Sequence, residues 1–101
     1  AVARELTRRA DVVIENFKPG QLAKYGLDHA GVSAVNPAVV YASITGFGSG
    51  AGAHVPGYDL MVQAISGLMS LTGSPDGPAY RAGISVFDVM AGNHAIIGIL
   101  A

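Results

Sequence analysis

Cysteine is absent from this 101-residue chain, which excludes disulfides and thiol catalysis within it and is compatible with a cytoplasmic setting. No uninterrupted apolar run reaches the roughly 18 residues that a membrane span requires, and nothing resembles a signal peptide. A soluble, cytoplasmic protein is expected. Charge is scarce as well: 13% of residues are charged and the formal net charge is −1, so there is no general attraction for nucleic acid. Arg4, Arg8, Arg9, Lys18 and Lys24 hold five of the six basic residues, and the three arginines read as a solvated helix face. Metal-ligand spacing is missing too. His29, His54 and His94 form no chelating pattern, so each reads as structural or exposed, and no metal is expected.

What the chain does have is apolar content, 50% of residues, enough for a folded and not a disordered segment. Its ends shape the next expectation. "AVARELTRRA" begins as a helix with no capping residue ahead of it, and "AIIGILA" stops inside an apolar helical pattern. Residues 1–101 are therefore expected to be an internal segment of a larger domain, truncated at both ends.

Local patterns fill in the segment. Val2, Leu6 and Arg9 suggest a short amphipathic helix over 2–9. "DVVIEN" reads as a buried parallel strand. "KPGQLAKYGL" is a predicted helix, with Pro19 near its start and Gly26 at its stop. "DHAGVSAVNP" is a second short helix, and "AVVYASITGF" a second strand. Strand, helices, strand within about 30 residues make a crossover unit of the parallel, right-handed kind. A glycine-dense loop follows, "GFGSGAGAHVPG". "YDLMVQAISGLMSL" is the most regular helical pattern, with Leu60, Ala64, Leu68 and Leu71 on one stripe. A last helix is expected to start near Asp88.

Three motifs bear on chemistry. The glycine loop follows a strand, as a dinucleotide fingerprint does, but the third glycine falls on Ala51 or Ala53 and no helix opens at once. That reading is rejected. "ENFKPG" sits just past the first strand, where open α/β sheets bind ligands. There Asn16 offers an amide to a purine or pantetheine group, Phe17 an apolar wall, and Lys18 and Lys24 positive charge for phosphates. An ordinary strand-to-helix turn explains the same residues. Finally, Asp88 is the only side chain from Ile84 to Ala101 that must carry charge at neutral pH. An ionised carboxylate in an apolar setting is costly unless partnered. It either caps the last helix or faces a cavity as a nucleophile. Gly92 and Ala95 clear one helix face beside it, for close packing or for substrate. The residues alone leave both roles open.

Taken together, "DVVIENFKPGQLAKYGL", "NPAVVYASITGFG", "PGYDLMVQAISGLMSLTG", "DGPAYRAG" and "VFDVMAGNHAIIGILA" resemble the class III CoA-transferases, in order and spacing, from Asp11 to Ala101. The resemblance implies an α/β fold: part of a Rossmann-like large domain, in an interlocked homodimer. It implies coenzyme A and acyl-CoA as substrates, with a small carboxylic acid as acceptor. Asp88 takes the nucleophile's place, passing through an aspartyl-CoA intermediate. Asn16, Phe17 and Lys18 would border CoA, Lys24 would approach a CoA phosphate, and Gly57 and Tyr58 would line the channel to the thioester. Backbone N–H groups at the start of the Asp88 helix, or in a glycine loop elsewhere, would stabilise the oxyanions. The α-methylacyl-CoA racemase branch carries histidine where this chain has Tyr58, and a phenol is a poor base at neutral pH. A transferase is thus expected ahead of a racemase, with a non-catalytic CoA-binding module as the alternative from another class.

Overall fold

The computed structural model describes residues 2–101. It carries four helices, α1 (Val2–Thr7), α2 (His29–Ser33), α3 (Asp59–Ile65) and α4 (Val86–Leu100), and two strands, β1 (Val12–Glu15) and β2 (Val40–Ser43). Single 3-10 turns occur at Ala23–Tyr25 and Leu68–Ser70.

The β-branched runs of both predicted strands do pair, in parallel, with Val12 opposite Val40 and Glu15 opposite Ser43. Bonds from Val40 N–H to Asp11 O (2.9 Å) and from Ile44 N–H to Glu15 O (2.8 Å) extend the ladder at each end. A parallel pair needs a crossover, and residues 16–39 supply it. Its first part is not the helix the sequence suggested. Gly20, at φ 81°, interrupts helical geometry directly after Pro19, leaving only the 3-10 turn, which Gly26 closes at φ 62°. The second part is α2, where the Asp28 carboxylate accepts the Gly31 N–H at 3.2 Å as an N-cap. Asn36 then ties the crossover back: its amide donates to Thr7 O (3.0 Å) and Ala10 O (2.8 Å). On α1, Glu5 pairs with Arg8 (3.5 Å) and Arg9 (3.8 Å) in the open, as a solvated face should.

Burial departs furthest from expectation. The strands are half-covered, not buried, and Val32 is the one buried hydrophobic side chain among the described residues. Exposed area is 7123 Å², against about 5,300 Å² for a free-standing monomer of this mass. The radius of gyration is 17.0 Å, against about 13 Å for a typical domain of this length. The predicted long helix over 58–71 also breaks: Gly67 at φ 84° ends it, and a 3-10 turn completes the segment. Of its apolar stripe, Leu60 is 50% and Leu71 84% exposed, while Gln63 is completely buried.

The glycine loop folds back on itself. A Cβ built on Gly57 would stand 2.6 Å from Gly46 N and closer still to Gly46 Cα. Only glycine at both places lets the end of β2 touch the start of α3. That contact carries α3, and α4 packed against it, to the carboxyl ends of the strands.

Candidate active site

At those carboxyl ends lies a cavity of about 590 Å³, within the range of small-molecule sites. Four stretches wall it. Asn16, Phe17 and Lys18 leave β1; residues 44–48 leave β2; residues 52–59, with His54, Gly57, Tyr58 and Asp59, run from the glycine loop into α3; Phe87, Asp88, Met90, Ala91 and His94 lie on the first turns of α4. Six of the seven residues singled out in the sequence therefore meet around one space. Lys24 stands apart, outside the lining, with its ammonium 4.9 Å from the Tyr25 ring centre.

The turn after β1 takes its shape from Glu15, whose carboxylate accepts the Phe17 N–H at 2.8 Å and pairs with the Ser43 hydroxyl across the strands. The ordinary-turn explanation of "ENFKPG" is thus correct as far as it goes. The same geometry also presents Asn16, Phe17 and Lys18 to the cavity.

Asp88 is not an N-cap. Helix α4 opens at Val86, one turn earlier than Asp88 would set it, and Ser85 in the capping position makes no side-chain cap. The cap comes from another helix. Asp59 Oδ1 accepts the backbone N–H of Phe87 at 2.7 Å and of Asp88 at 3.2 Å, satisfying two donors that a helix start leaves unpaired. Val86 N–H reaches Ile84 O (2.9 Å), and Val89 N–H makes the first intrahelical bond, to Ser85 O (3.1 Å). Of the two expected sources of oxyanion donors, this helix start has its Phe87 and Asp88 N–H groups held by Asp59, while the glycine loop lines the cavity with Gly46, Gly48, Gly52 and Gly57.

Asp59 is the residue the sequence did not single out. Burial pushes its carboxyl up, but hydrogen bonds from Gln63 and from the backbone of Asp88 and Phe87, with the Arg81 charge, outweigh that and hold it below its ordinary value. A visible signal existed, an Asp at a helix start with Gln four residues on. Its partners 28 and 29 residues away were not visible.

The Asp88 carboxylate itself is exposed at the cavity wall, free of any hydrogen bond or ion pair with other described residues. A Cβ placed on Gly92 meets nothing within 4 Å, so the small face beside Asp88 leaves room instead of packing a neighbouring helix of this chain. His94 shares the cavity but makes no bond with Asp88; its Nδ1 lies 2.8 Å from Met90 O. A carbonyl only accepts, so Nδ1 carries a proton in this contact. His29, by contrast, is structural, edge-on to Tyr41 with ring centres 5.7 Å apart. No three His, Asp or Glu side chains among the described residues are grouped to hold a metal. Nor is any described helix long and apolar enough to cross a membrane.

Comparison with known proteins gives a consistent result. The whole chain, residues 1–101, matches the family described as CoA-transferase family III. It is 51% identical over 102 residues to a succinate–glutarate CoA-transferase of Agrobacterium fabrum, covering 100% of this chain and 26% of that protein. It is 45% identical to an acetyl-CoA:oxalate CoA-transferase of Acetobacter aceti, covering 98% and 26% respectively. Among solved structures, a CAIB/BAIF family protein from Brucella suis superposes with a TM-score of 0.94 at 47% identity, covering 98% of this chain and 26% of that one. The chain thus spans about a quarter of the length of these relatives.

Proposed function

This chain belongs to CoA-transferase family III, and we propose that it forms the nucleophile-bearing part of an enzyme moving CoA between an acyl-CoA thioester and a carboxylic acid. The observation that carries this reading is the convergence of Asp88 with Asn16, Phe17, Lys18, Gly57 and Tyr58 on one cavity. Phe17 gives an apolar wall and Asn16 and Lys18 polar contacts suited to the CoA chain. Lys24, exposed outside the cavity, is assigned to a CoA phosphate beyond its mouth. Gly57 and Tyr58 border the path to the thioester.

The reaction needs a carboxylate that is accessible and unpaired, as Asp88 is. Asp88 attacks the thioester carbonyl; the C–S bond breaks, giving a mixed acyl-aspartyl anhydride and CoA thiolate. The thiolate attacks the aspartyl carbonyl of the anhydride, forming an aspartyl-CoA thioester and releasing the donor as its carboxylate. The acceptor carboxylate attacks that thioester and expels the thiolate. The thiolate then attacks the acceptor's carbonyl in the new anhydride, giving acyl-CoA and restoring Asp88. Covalent catalysis divides one hard exchange into acyl transfers of similar difficulty.

The names of the relatives pair succinate with glutarate and acetyl-CoA with oxalate, which favours a short dicarboxylate acceptor here. Tyr58 at the place of the racemase histidine favours transfer over racemisation. The surface this chain leaves uncovered favours its enclosure in a Rossmann-like large domain, and the relatives' length leaves ample chain for an interlocked homodimer. The experiment is direct. Full-length enzyme incubated with acyl-CoA and then hydroxylamine should carry a hydroxamate on Asp88, and Asp88→Asn should carry none and transfer no CoA. Near-normal turnover in Asp88→Asn would falsify the mechanism.

A further inference from the structure

Gln63 is the one polar side chain in the described residues with no exposed surface. It sits on α3, away from the cavity lining, and takes no part in the reaction proposed above. A buried amide must have partners, because an orphaned donor or acceptor has given up its water for nothing. Gln63 finds all of them in one direction. Its Nε2 donates to Asp59 Oδ2, one helical turn earlier, and reaches Ile84 O at 3.4 Å. Its Oε1 accepts the Ala82 N–H at 2.8 Å. The amide therefore straps the segment leading into α4 while holding one oxygen of Asp59. The other oxygen of Asp59 holds the N–H groups of Phe87 and Asp88.

The links run from Gln63 through Asp59, and the last of them holds the main chain of the proposed nucleophile. Because α4 has no cap of its own, nothing local duplicates it. From this we infer that Gln63 is a positioning residue: through Asp59 it sets where the main chain of Asp88 stands at the cavity wall. The catalytic consequence rests on the reading of Asp88 as the nucleophile. The strap itself does not.

A reciprocal exchange tests it in the full-length enzyme. Gln63→Glu alone sets a carboxylate against the Asp59 carboxylate. Asp59→Asn alone sets an amide against the Gln63 amide. Combined, the two restore a complementary pair: Asn at 59 keeps an oxygen for Phe87 and Asp88 and donates to Glu at 63, whose second oxygen still accepts from Ala82, and only the 3.4 Å bond to Ile84 O is left unrestored. Each single variant should lower kcat for CoA transfer at least tenfold, with KM for acyl-CoA changed less than threefold. The double variant should return kcat to within threefold of wild type. Amide hydrogen exchange at Phe87 and Asp88 should be at least tenfold faster in the singles and slow again in the double.

A side chain that only stabilises the fold would move the denaturation midpoint without moving kcat per folded enzyme or KM. Single variants within threefold of wild type in kcat, or a double variant as slow as the singles, overturn the positioning role. Unchanged amide exchange in the singles overturns the strap. Wild-type enzyme that forms no Asp88 hydroxamate overturns the nucleophile and the catalytic consequence with it, while exchange still decides the strap.

Discussion

Gly57→Ala isolates the contact that builds the cavity. Gly57 is outside the left-handed region, so alanine meets no backbone strain there. The added methyl instead stands 2.6 Å from Gly46 N, inside the distance at which real Cβ atoms are found, and the obstructing atoms are backbone. Backbone cannot swing aside as a side-chain tip can, so the end of β2 and the start of α3 must separate. Overpacking of this kind costs about 1–3 kcal/mol, and a backbone obstacle puts the value in the upper half, about 2–3. Gly50 provides the control. It lies in the same loop, also outside the left-handed region, and a Cβ there meets nothing within 4 Å. Both substitutions remove similar freedom from the unfolded chain, worth about 0.4–1 kcal/mol in favour of folding, so their difference reports the collision alone. Urea denaturation of the two full-length variants should show Gly57→Ala less stable than Gly50→Ala by about 2–3 kcal/mol. Activity should follow, because α3 and α4 move with the displaced contact. A misplacement near 1 Å costs roughly a hundredfold in rate, so kcat/KM should fall about that far in Gly57→Ala and stay near wild type in Gly50→Ala. Equal stability and equal kcat/KM in the two variants would refute the reasoning.

Three further outcomes are expected. Asp88→Ala should leave the unfolding free energy within about 0.5 kcal/mol of wild type, since Asp59 and not Asp88 caps α4; a loss of about 1–2 kcal/mol would restore the capping role. Lys24→Ala should weaken CoA binding more than dephospho-CoA binding in calorimetric titration, and equal affinities for wild type and variant would remove Lys24 from the phosphate. The Asp59 carboxyl lies below its ordinary value, so its contribution to stability is present above the unfolded carboxylate pKa of about 3.9 and is lost as pH falls through the lower folded value. Asp59→Asn should therefore flatten the fall in stability below about pH 4 and leave its slope at neutral pH unchanged.

Much of the architecture was legible because it is local. The Val and Ile runs of β1 and β2, the Gly26 stop and the connection between the strands are written in consecutive residues. Two errors came from glycines that also suit a helix in pattern. Gly20 and Gly67 adopt positive φ, and each cuts a helix that periodicity alone would continue. Burial was misjudged for another reason. Period-2 and period-3.6 patterns mark which residues seek cover, not whether this stretch of chain provides it. Ile14, Leu60 and Leu71 carry the pattern and remain exposed.

The site divides along the same line. "ENFKPG", "PGYD" and Asp88 could be found as motifs, and they converge. How Asp88 is held could not, because local rules offered a cap at 88 while the structure caps α4 from Asp59. That difference bears on the chemistry. A cap would have tied up the Asp88 carboxylate in bonds to its own helix, and the nucleophile and the cap were competing uses of one group. With Asp59 taking the N–H groups, Asp88 is released to face the cavity. On the proposed mechanism this has a cost: the Phe87 and Asp88 N–H groups, held by Asp59, are removed from the set able to meet a developing oxyanion. Each tetrahedral intermediate of the proposed mechanism would then need donors from another element, and a carboxylate nucleophile without them would lose roughly a hundredfold to a thousandfold in rate per missing donor. On the proposed mechanism, the Asp59 strap leaves the Asp88 carboxylate free and leaves oxyanion donation to other elements of the cavity, the glycine loop among them.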